Sequence, residues 1–268
     1  MSDTVTVVTN GVRLHCALEG KTAGTTLVLI NSLGSDLRLW DQLVSRLGGR
    51  WRVIRYDQRG QGHSETPPGP YHLRDHVCDL AGLLAQLEVE RPVLLGLSVG
   101  GLIAMDFVCQ FPGRAQALVL SDTAPRIGAP EGWTERIDGI RQHGMTEMAA
   151  GIIGRWVTAA YAQRRPADYE FLRQMLLQSP LEGYLATCAV LRDADLHAGL
   201  PQLAVPTLVI CGAEDLSTPP AQMRALANTL PQARFAMIEG AAHLPCFEQP
   251  AAVAAALESF GQDMIHGQ

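Results

Sequence analysis

Short, uninterrupted apolar runs alternate with amphipathic stretches along most of this chain. Runs without polar alternation are typical of strands that are covered by helices on both faces. Alternation at these lengths predicts a mostly parallel sheet with right-handed crossovers, flanked by helices. The opening "VTVVTNGVRLHCALEG" alternates around Asn10-Gly11 and predicts two antiparallel strands, which would make an eight-stranded sheet. The parallel candidates are 25–30, 51–56, 91–97, 115–121, 206–211 and 233–239, and the clearest helical stretches are 39–47, 73–87 and 250–260.

One long segment interrupts this alternation. Residues 124–200 contain no convincing strand and show a helical pattern rich in Arg, Asp, Glu and Gln. The segment follows the fourth parallel candidate, so an insertion there would cover the carboxyl ends of the strands, where open α/β sheets place their ligands. We therefore expect a core formed by 1–123 and 201–268 and an all-helical lid formed by 124–200.

The composition narrows the class of partner. Of 268 residues, 47% are hydrophobic and 18% are charged, with a net charge of −6, which is typical of an ordinary globular protein. This acidic balance, without a Lys/Arg run, argues against nucleic acid or an anionic membrane as a partner. We see no signal-peptide pattern and no apolar window near the ~18 residues of a membrane span. Six scattered cysteines without a Cys-x-x-Cys pair predict reduced thiols in the cytoplasm.

A single serine stands between glycines where a predicted strand meets a predicted helix. The apolar run "VLLGLSVGGLIAMDF" breaks only at the Gly-Leu-Ser-Val-Gly turn around Ser98. A tight strand-to-helix turn strains the serine backbone, and neighbours without side chains relieve the crowding, so that the hydroxyl stands clear of the sheet. This G-x-S-x-G turn predicts that Ser98 is a nucleophile.

A serine hydroxyl needs a base that is oriented by a third group. Asp215 in "CGAEDLS" and His243 in "GAAHLPC" each follow a predicted strand, in the chain order serine, acid, histidine that such a sheet uses. Two other carboxylates remain alternatives for the acid. Glu214 is adjacent to Asp215, and Asp122 follows the strand candidate 115–121.

Two further histidines have the spacing of a helical metal pair. His72 and His76 in "HLRDH" stand four positions apart with a carboxylate between them. No third ligand can be identified, and the helical pattern places both residues at the solvated start of the stretch 73–87. We therefore expect no metal site here.

An acyl-transfer site also needs N–H donors aimed at the developing oxyanion. The N–H of Val99, at the start of the predicted helix, is one candidate. The second is expected in the small-residue turn "NSLG" (31–34), directly after a strand, and the N–H of Leu33 is the candidate there.

Together these motifs resemble the α/β-hydrolase superfamily over nearly the whole chain. "YDQRGQGHS" (56–64) is similar to the family's D-x-R-G-x-G-x-S loop, although Gln61 stands where many members have His. Asn31-Ser32 likewise stands where many members have His-Gly. The stretches "NSLGSDLRLWD", "GLSVGGLIA", "SDTAPRIGAPEGWTERIDGIRQHGM" and "AAHLPCFEQP" resemble the 3-oxoadipate enol-lactonase branch.

The resemblance implies an α/β-hydrolase fold and hydrolysis of 3-oxoadipate enol-lactone to 3-oxoadipate in aromatic-compound catabolism, with no metal or organic cofactor. Such a substrate carries a carboxylate, so the lid should offer a cation. Trp133 and Arg136 share one face of a predicted helix, with Arg141 further along. We expect Arg136 to bind the carboxylate, with Trp133 on the ring and Arg141 as a further substrate-binding candidate; a solvated Arg136 is the alternative.

Two other functions remain open. A general carboxylesterase or a perhydrolase-like enzyme would keep the triad and act on other small esters. A catalytically silent binding module is a different class of protein, but such relatives generally lack a triad member, and all three candidates are present here.

Overall fold

Eight strands form one sheet in the computed structural model, which describes residues 3–20, 24–47, 49 and 51–266. The spatial order is β1-β2-β4-β3-β5-β6-β7-β8. β1 and β2 form an antiparallel hairpin, β2 runs antiparallel to β4, and every other neighbouring pair is parallel. The strands are β1 Asp3–Thr9, β2 Val12–Glu19, β3 Thr25–Ile30, β4 Trp51–Tyr56, β5 Val93–Leu97, β6 Ala117–Ser121, β7 Thr207–Gly212 and β8 Ala233–Ile238.

The burial of the strands explains their sequence patterns. Every residue of β5, β6 and β7 is buried, as expected for strands that lie inside a parallel sheet. The edge strand β1 instead alternates towards its end between exposed and buried side chains. The prediction of a mostly parallel, eight-stranded sheet is confirmed.

Eleven α-helices lie within the described ranges. α2 and α3 pack on each other, α3 also packs on β5, and α9 packs on β7 and β8. Short 3-10 helices precede α1, at Leu37–Trp40, and β7, at His197–Gln202. The α-helices are α1 Asp41–Val44, α2 Leu73–Gln86, α3 Val99–Gln110, α4 Pro130–His143, α5 Met145–Ile153, α6 Ala159–Arg164, α7 Pro166–Gln178, α8 Leu181–Asp193, α9 Pro220–Thr229, α10 Pro245–Glu248 and α11 Pro250–His266.

Five of these helices, α4 to α8, follow one another between β6 and β7 without an intervening strand. We call them the cap helices. α4 packs on α8, and α5 packs on α7. The segment 124–200 therefore contains the predicted helices, whereas its division from the core as a separate lid domain stays a prediction.

The start of α2 differs from the expectation of a solvated histidine pair. His72 is exposed and caps the helix, and its N–H donates to the Asp75 carboxylate at 2.8 Å. His76, however, is only 1% exposed, and neither ring nitrogen has a hydrogen-bond partner among the residues that the structure describes. Burial, together with the charge of Arg59, lowers the pKa of His76 to about 3. The expectation of solvent exposure was wrong for His76 because this side of α2 faces the core.

All six cysteines are free thiols, and four of them are buried. Within the described ranges, no helix has both the length and the apolar character that crossing a membrane requires.

Candidate active site

Ser98 stands at the turn between β5 and α3 in a strained backbone conformation. Its φ of 58° and ψ of −118° lie where a residue with a side chain pays about 1–3 kcal/mol. A Cβ on Gly96 would collide with the carbonyl of Gly100, and a Cβ on Gly100 would collide with the backbone carbonyls at the end of β3. The carbonyl of Ser98 accepts a hydrogen bond from Thr123 Oγ1 at 2.7 Å. The two glycines are therefore required by the close approach of neighbouring backbone, and the turn is held in place.

His243 and Asp215 form a buried pair. His243 Nδ1 lies 2.8 Å from Asp215 Oδ2. Asp215 also accepts hydrogen bonds from the N–H of Ser217 and from Thr218 Oγ1, each at 2.7 Å. Burial opposes the ionisation of Asp215, but the charge of His243 and these hydrogen bonds lower its pKa to about 2. Because Nδ1 is engaged by a carboxylate, Nε2 is the ring nitrogen that can take up a proton from a nucleophile.

The two alternative acids lie in different surroundings. Asp122 is fully buried after β6; it accepts from the N–H of Gly212 at 2.8 Å and from Ser121 Oγ at 2.7 Å. Burial, together with the charge of Asp215, raises the pKa of Asp122 well above its usual range. Glu214 is exposed. Of the three candidate carboxylates, Asp215 is the one in hydrogen-bond contact with His243.

A chain of side-chain amides braces the turn 31–34. Gln58 Nε2 donates to the carbonyl of Asn31 at 2.7 Å, and Gln61 Nε2 donates to Gln58 Oε1 at 3.2 Å. Gln61 Oε1 in turn accepts from the N–H of Gly34 at 3.1 Å. The sequence showed Gln61 only as a departure from the family pattern, because nothing local indicates that its amide reaches this turn.

The two candidate oxyanion donors lie in the turns that follow β3 and β5. Leu33 lies inside the braced turn and lines the cavity described below. Val99 is the first residue of α3, directly after Ser98, and its side chain is fully buried. A helix N-terminus carries free N–H groups and a partial positive charge.

A cavity of about 520 Å³ lies between the strand-end loops and the cap helices. Ser98 and His243 both line it, and they are 5% and 4% exposed. Its remaining core wall is formed by Ser32, Leu33 and Ser217, and its cap wall includes Ile127, Trp133, Arg136, Met148, Ile152, Arg155, Trp156, Tyr184 and Leu191.

The predicted substrate-binding residues do not all reach this cavity. Trp133 and Arg136 line it, and the Arg136 guanidinium lies 4.9 Å from the centroid of the Trp133 ring. Trp133 Nε1 donates to the carbonyl of Ile127 at 2.6 Å, which fixes the ring. Arg141 is exposed on the last turn of α4 and does not line the cavity.

Sequence reasoning missed Tyr184, which α8 contributes to the same wall. Its side chain is 1% exposed, and its hydroxyl has no hydrogen-bond partner among the described residues. The Arg136 guanidinium lies near this hydroxyl without reaching hydrogen-bond geometry. Burial raises the pKa of Tyr184, and the charge of Arg136 opposes the rise.

The fold and the strained serine turn define the class. Residues 25–250 match the family model of the alpha/beta hydrolase fold, and the chain belongs to that family. It is 33% identical over 254 residues to 3-oxoadipate enol-lactonase 2 of Acinetobacter baylyi, which covers 95% of each protein. It is a carboxylic ester hydrolase that is similar to enol-lactonases.

Two solved structures extend the comparison. The enol-lactonase from Burkholderia xenovorans LB400 is 36% identical, with a TM-score of 0.93 over 96% of this chain and 100% of that one. A thermophilic esterase from Thermogutta terrifontis, with malate bound, is 32% identical, with a TM-score of 0.90 over 98% of this chain and 99% of that one.

Proposed function

We propose that this protein is a serine hydrolase that opens a small, carboxylate-bearing enol-lactone, converting 3-oxoadipate enol-lactone to 3-oxoadipate in aromatic-compound catabolism. The observation that carries the proposal is a single cavity lined by Ser98 and His243 from the core and by Trp133 and Arg136 from the cap. The similarity to two proteins named as enol-lactonases supports this choice of substrate.

In the first half of the reaction, Ser98 is acylated. His243 Nε2 takes the proton of Ser98 as its Oγ attacks the lactone carbonyl carbon. The N–H groups of Leu33 and Val99 donate to the oxyanion that forms. The ring C–O bond then breaks and the electron pair leaves as an enolate, whose delocalised charge needs little acid assistance. The protonated His243 returns its proton to this leaving group.

In the second half, water cleaves the acyl-enzyme. His243 takes a proton from the water as its oxygen attacks the acyl carbon, and Ser98 leaves with that proton. The enol formed in the first half stays attached to the acyl chain, leaves with it when the acyl-enzyme is cleaved, and becomes the ketone of the product by tautomerisation. Throughout, Asp215 holds His243 in the tautomer that keeps Nε2 available, as their 2.8 Å contact supports.

The cap wall supplies recognition. Arg136 pairs with the substrate carboxylate, and Trp133 packs on the ring. Arg141 has no part in this proposal because it is exposed and outside the cavity lining. Each chemical step uses protein groups and water, and the free thiols favour a cytoplasmic site of action.

The test is a comparison of catalytic efficiencies. We would measure kcat/KM for freshly generated 3-oxoadipate enol-lactone and for 4-nitrophenyl acetate, with Ser98→Ala as the blank. We expect the lactone to be favoured by about 10- to 100-fold, since charged hydrogen bonds contribute about 1.5–3 kcal/mol and the aryl ester lacks a carboxylate.

The similarity to a solved esterase supports a second candidate function. In this alternative the protein is a general carboxylesterase or a perhydrolase-like enzyme that acts on other small esters. It shares the triad and the acyl-enzyme. A preference for the neutral aryl ester would select this second function and remove the lactone assignment. Activity that survives in Ser98→Ala would contradict both.

A further inference from the structure

One buried carboxylate near the candidate base is used by neither proposed function. Glu248, the last residue of α10, is 6% exposed and follows His243 by five positions. Its Oε1 accepts a hydrogen bond from the N–H of Ala242 at 2.6 Å. The residue directly before His243 is therefore tied to this carboxylate.

The other oxygen of Glu248 is engaged by the cap. Oε2 accepts from both the N–H and the Oγ1 of Thr158, each at 2.9 Å. Thr158 stands at the N-cap of α6, where its Oγ1 also accepts from the N–H of Tyr161. A single carboxylate thus joins the start of a cap helix to the loop of the candidate base.

A second hydrogen bond ties the other side of His243 to the same cap segment. The N–H of Leu244 donates to the carbonyl of Trp156 at 2.9 Å. Trp156 lines the cavity, as His243 does. Both neighbours of His243 are therefore held by residues 156–158, one directly and one through Glu248.

Burying a carboxylate destabilises the folded protein unless its oxygens accept hydrogen bonds, and both oxygens of Glu248 do so here. Burial raises the pKa of Glu248, and the donors on Ala242 and Thr158 oppose that rise. If its only task were to cap a short helix, a neutral side chain would serve at lower cost. Donors from two different segments require an acceptor on each oxygen, which a carboxylate provides and an amide does not.

We propose that Glu248 is a positioning residue that couples the cap to the catalytic base, fixing the backbone of His243 through the hydrogen bonds to Ala242 and Thr158. The inference rests on the proposed role of His243. It assigns Glu248 no contact with the substrate.

The test is the Glu248→Gln variant, assayed with 4-nitrophenyl acetate so that it does not depend on the identity of the natural substrate. Glutamine keeps one acceptor oxygen and places an N–H₂ where the other stood, so either Ala242 or Thr158 loses its acceptor. We expect kcat to fall about 10- to 100-fold, because a small misplacement of a catalytic group lowers the rate by about this much. KM should stay within about threefold, because the cavity wall is unchanged.

The matched control removes a hydrogen bond between the cap segment and the core elsewhere. Gln222 of α9 donates to the carbonyl of Arg126 at 3.2 Å, away from the His243 loop. We expect Gln222→Ala to keep kcat. Thr158→Val should lower kcat, and Thr158→Ser should have the kcat of the parent. If Glu248→Gln does not fold, these two Thr158 variants test the proposal in its place.

The outcomes separate the two proposals. A Glu248→Gln protein with a lower melting temperature but normal kcat, or a fall equal to that of Gln222→Ala, overturns the positioning role. His243→Ala that retains activity overturns the proposed function itself, whatever Glu248→Gln does. A fall in kcat in Glu248→Gln and Thr158→Val, with Gln222→Ala and Thr158→Ser unaffected, supports the coupling.

Discussion

The strand-end loops of the core and the cap helices hold their polar groups in different ways. In the loops, the Asp215 carboxylate is in contact with three groups, on Ser217, Thr218 and His243. In the cap wall, the Arg136 guanidinium lies on the Trp133 ring, and the buried hydroxyl of Tyr184 has no hydrogen-bond partner among the described residues. The Asp215 carboxylate is therefore satisfied before a substrate arrives, whereas the Arg136 guanidinium in the cavity wall keeps N–H donors for one.

This difference teaches what each region contributes to a reaction. Groups that are held in advance stabilise charge in the transition state without having to reorganise. Groups with unused capacity gain partners when the substrate binds, and they act on ground and transition states alike. We therefore expect changes in the loops to lower kcat and changes in the cap wall to raise KM.

The largest expected effect lies in the loops and separates two buried carboxylates, Asp215 and Asp122. Asp215→Asn should lower kcat by about 10⁴-fold, because the amide favours the wrong tautomer of His243. Asp122→Asn should stay within about threefold of the parent, since Asp215 and not Asp122 is in hydrogen-bond contact with His243, and asparagine keeps an acceptor oxygen for the N–H of Gly212. The measurement is steady-state kinetics of both variants on one ester, and circular dichroism checks that both variants are folded. If Asp122→Asn were the more damaging change, Asp122 would be the acid partner.

A smaller effect is expected in the cap wall, where α4 offers a matched pair of arginines. Arg136→Ala should raise KM for the carboxylate-bearing lactone about 10- to 100-fold with little change in kcat, because one charged hydrogen bond contributes about 1.5–3 kcal/mol. Arg141→Ala, exposed on the same helix, should change neither constant. With 4-nitrophenyl acetate, both variants should match the parent. An equal response of the two arginines to the lactone would show that the cavity wall does not select the substrate.

The core was more predictable from sequence than the cap, for a physical reason. The strained turn at Ser98 is encoded locally, because the glycines must stand beside the serine in the chain. Strand-end positions gave Asp215 and His243, since parallel strands bring their carboxyl ends to one edge of the sheet. Both rules use only the residues next to each position in the chain. They were sufficient to predict the fold and the loop residues.

The remaining features depend on packing between distant segments. A helical period predicts α4, but which of its arginines faces the cavity depends on how α4 packs on α8. Glu248 and Gln61 reach partners across the fold, on Thr158 and Gly34. The burial of His76 is of the same kind, because the pattern of α2 did not reveal which elements cover its first turns.

The smallest expected effect compares one core histidine with one cap histidine. The pKa of His76 is about 3 in the folded protein, whereas an unperturbed histidine, as in the unfolded chain, has a pKa of 6.5. As the pH falls, His76 is therefore protonated in the unfolded chain before it is protonated in the folded protein. Stability is therefore lost as pH falls below 6.5, by about 2 kcal/mol at pH 5 at 1.36 kcal/mol per unit. Relative to the parent, His76→Leu should gain that amount in unfolding free energy between pH 7 and pH 5, measured by urea denaturation. Asp57, whose pKa is raised to about 6 by burial, titrates in both proteins and cancels. The comparison is the same measurement on His143→Leu, whose histidine is exposed in the cap beside Glu147. An equal gain there would mean that acid lability does not come from the buried core.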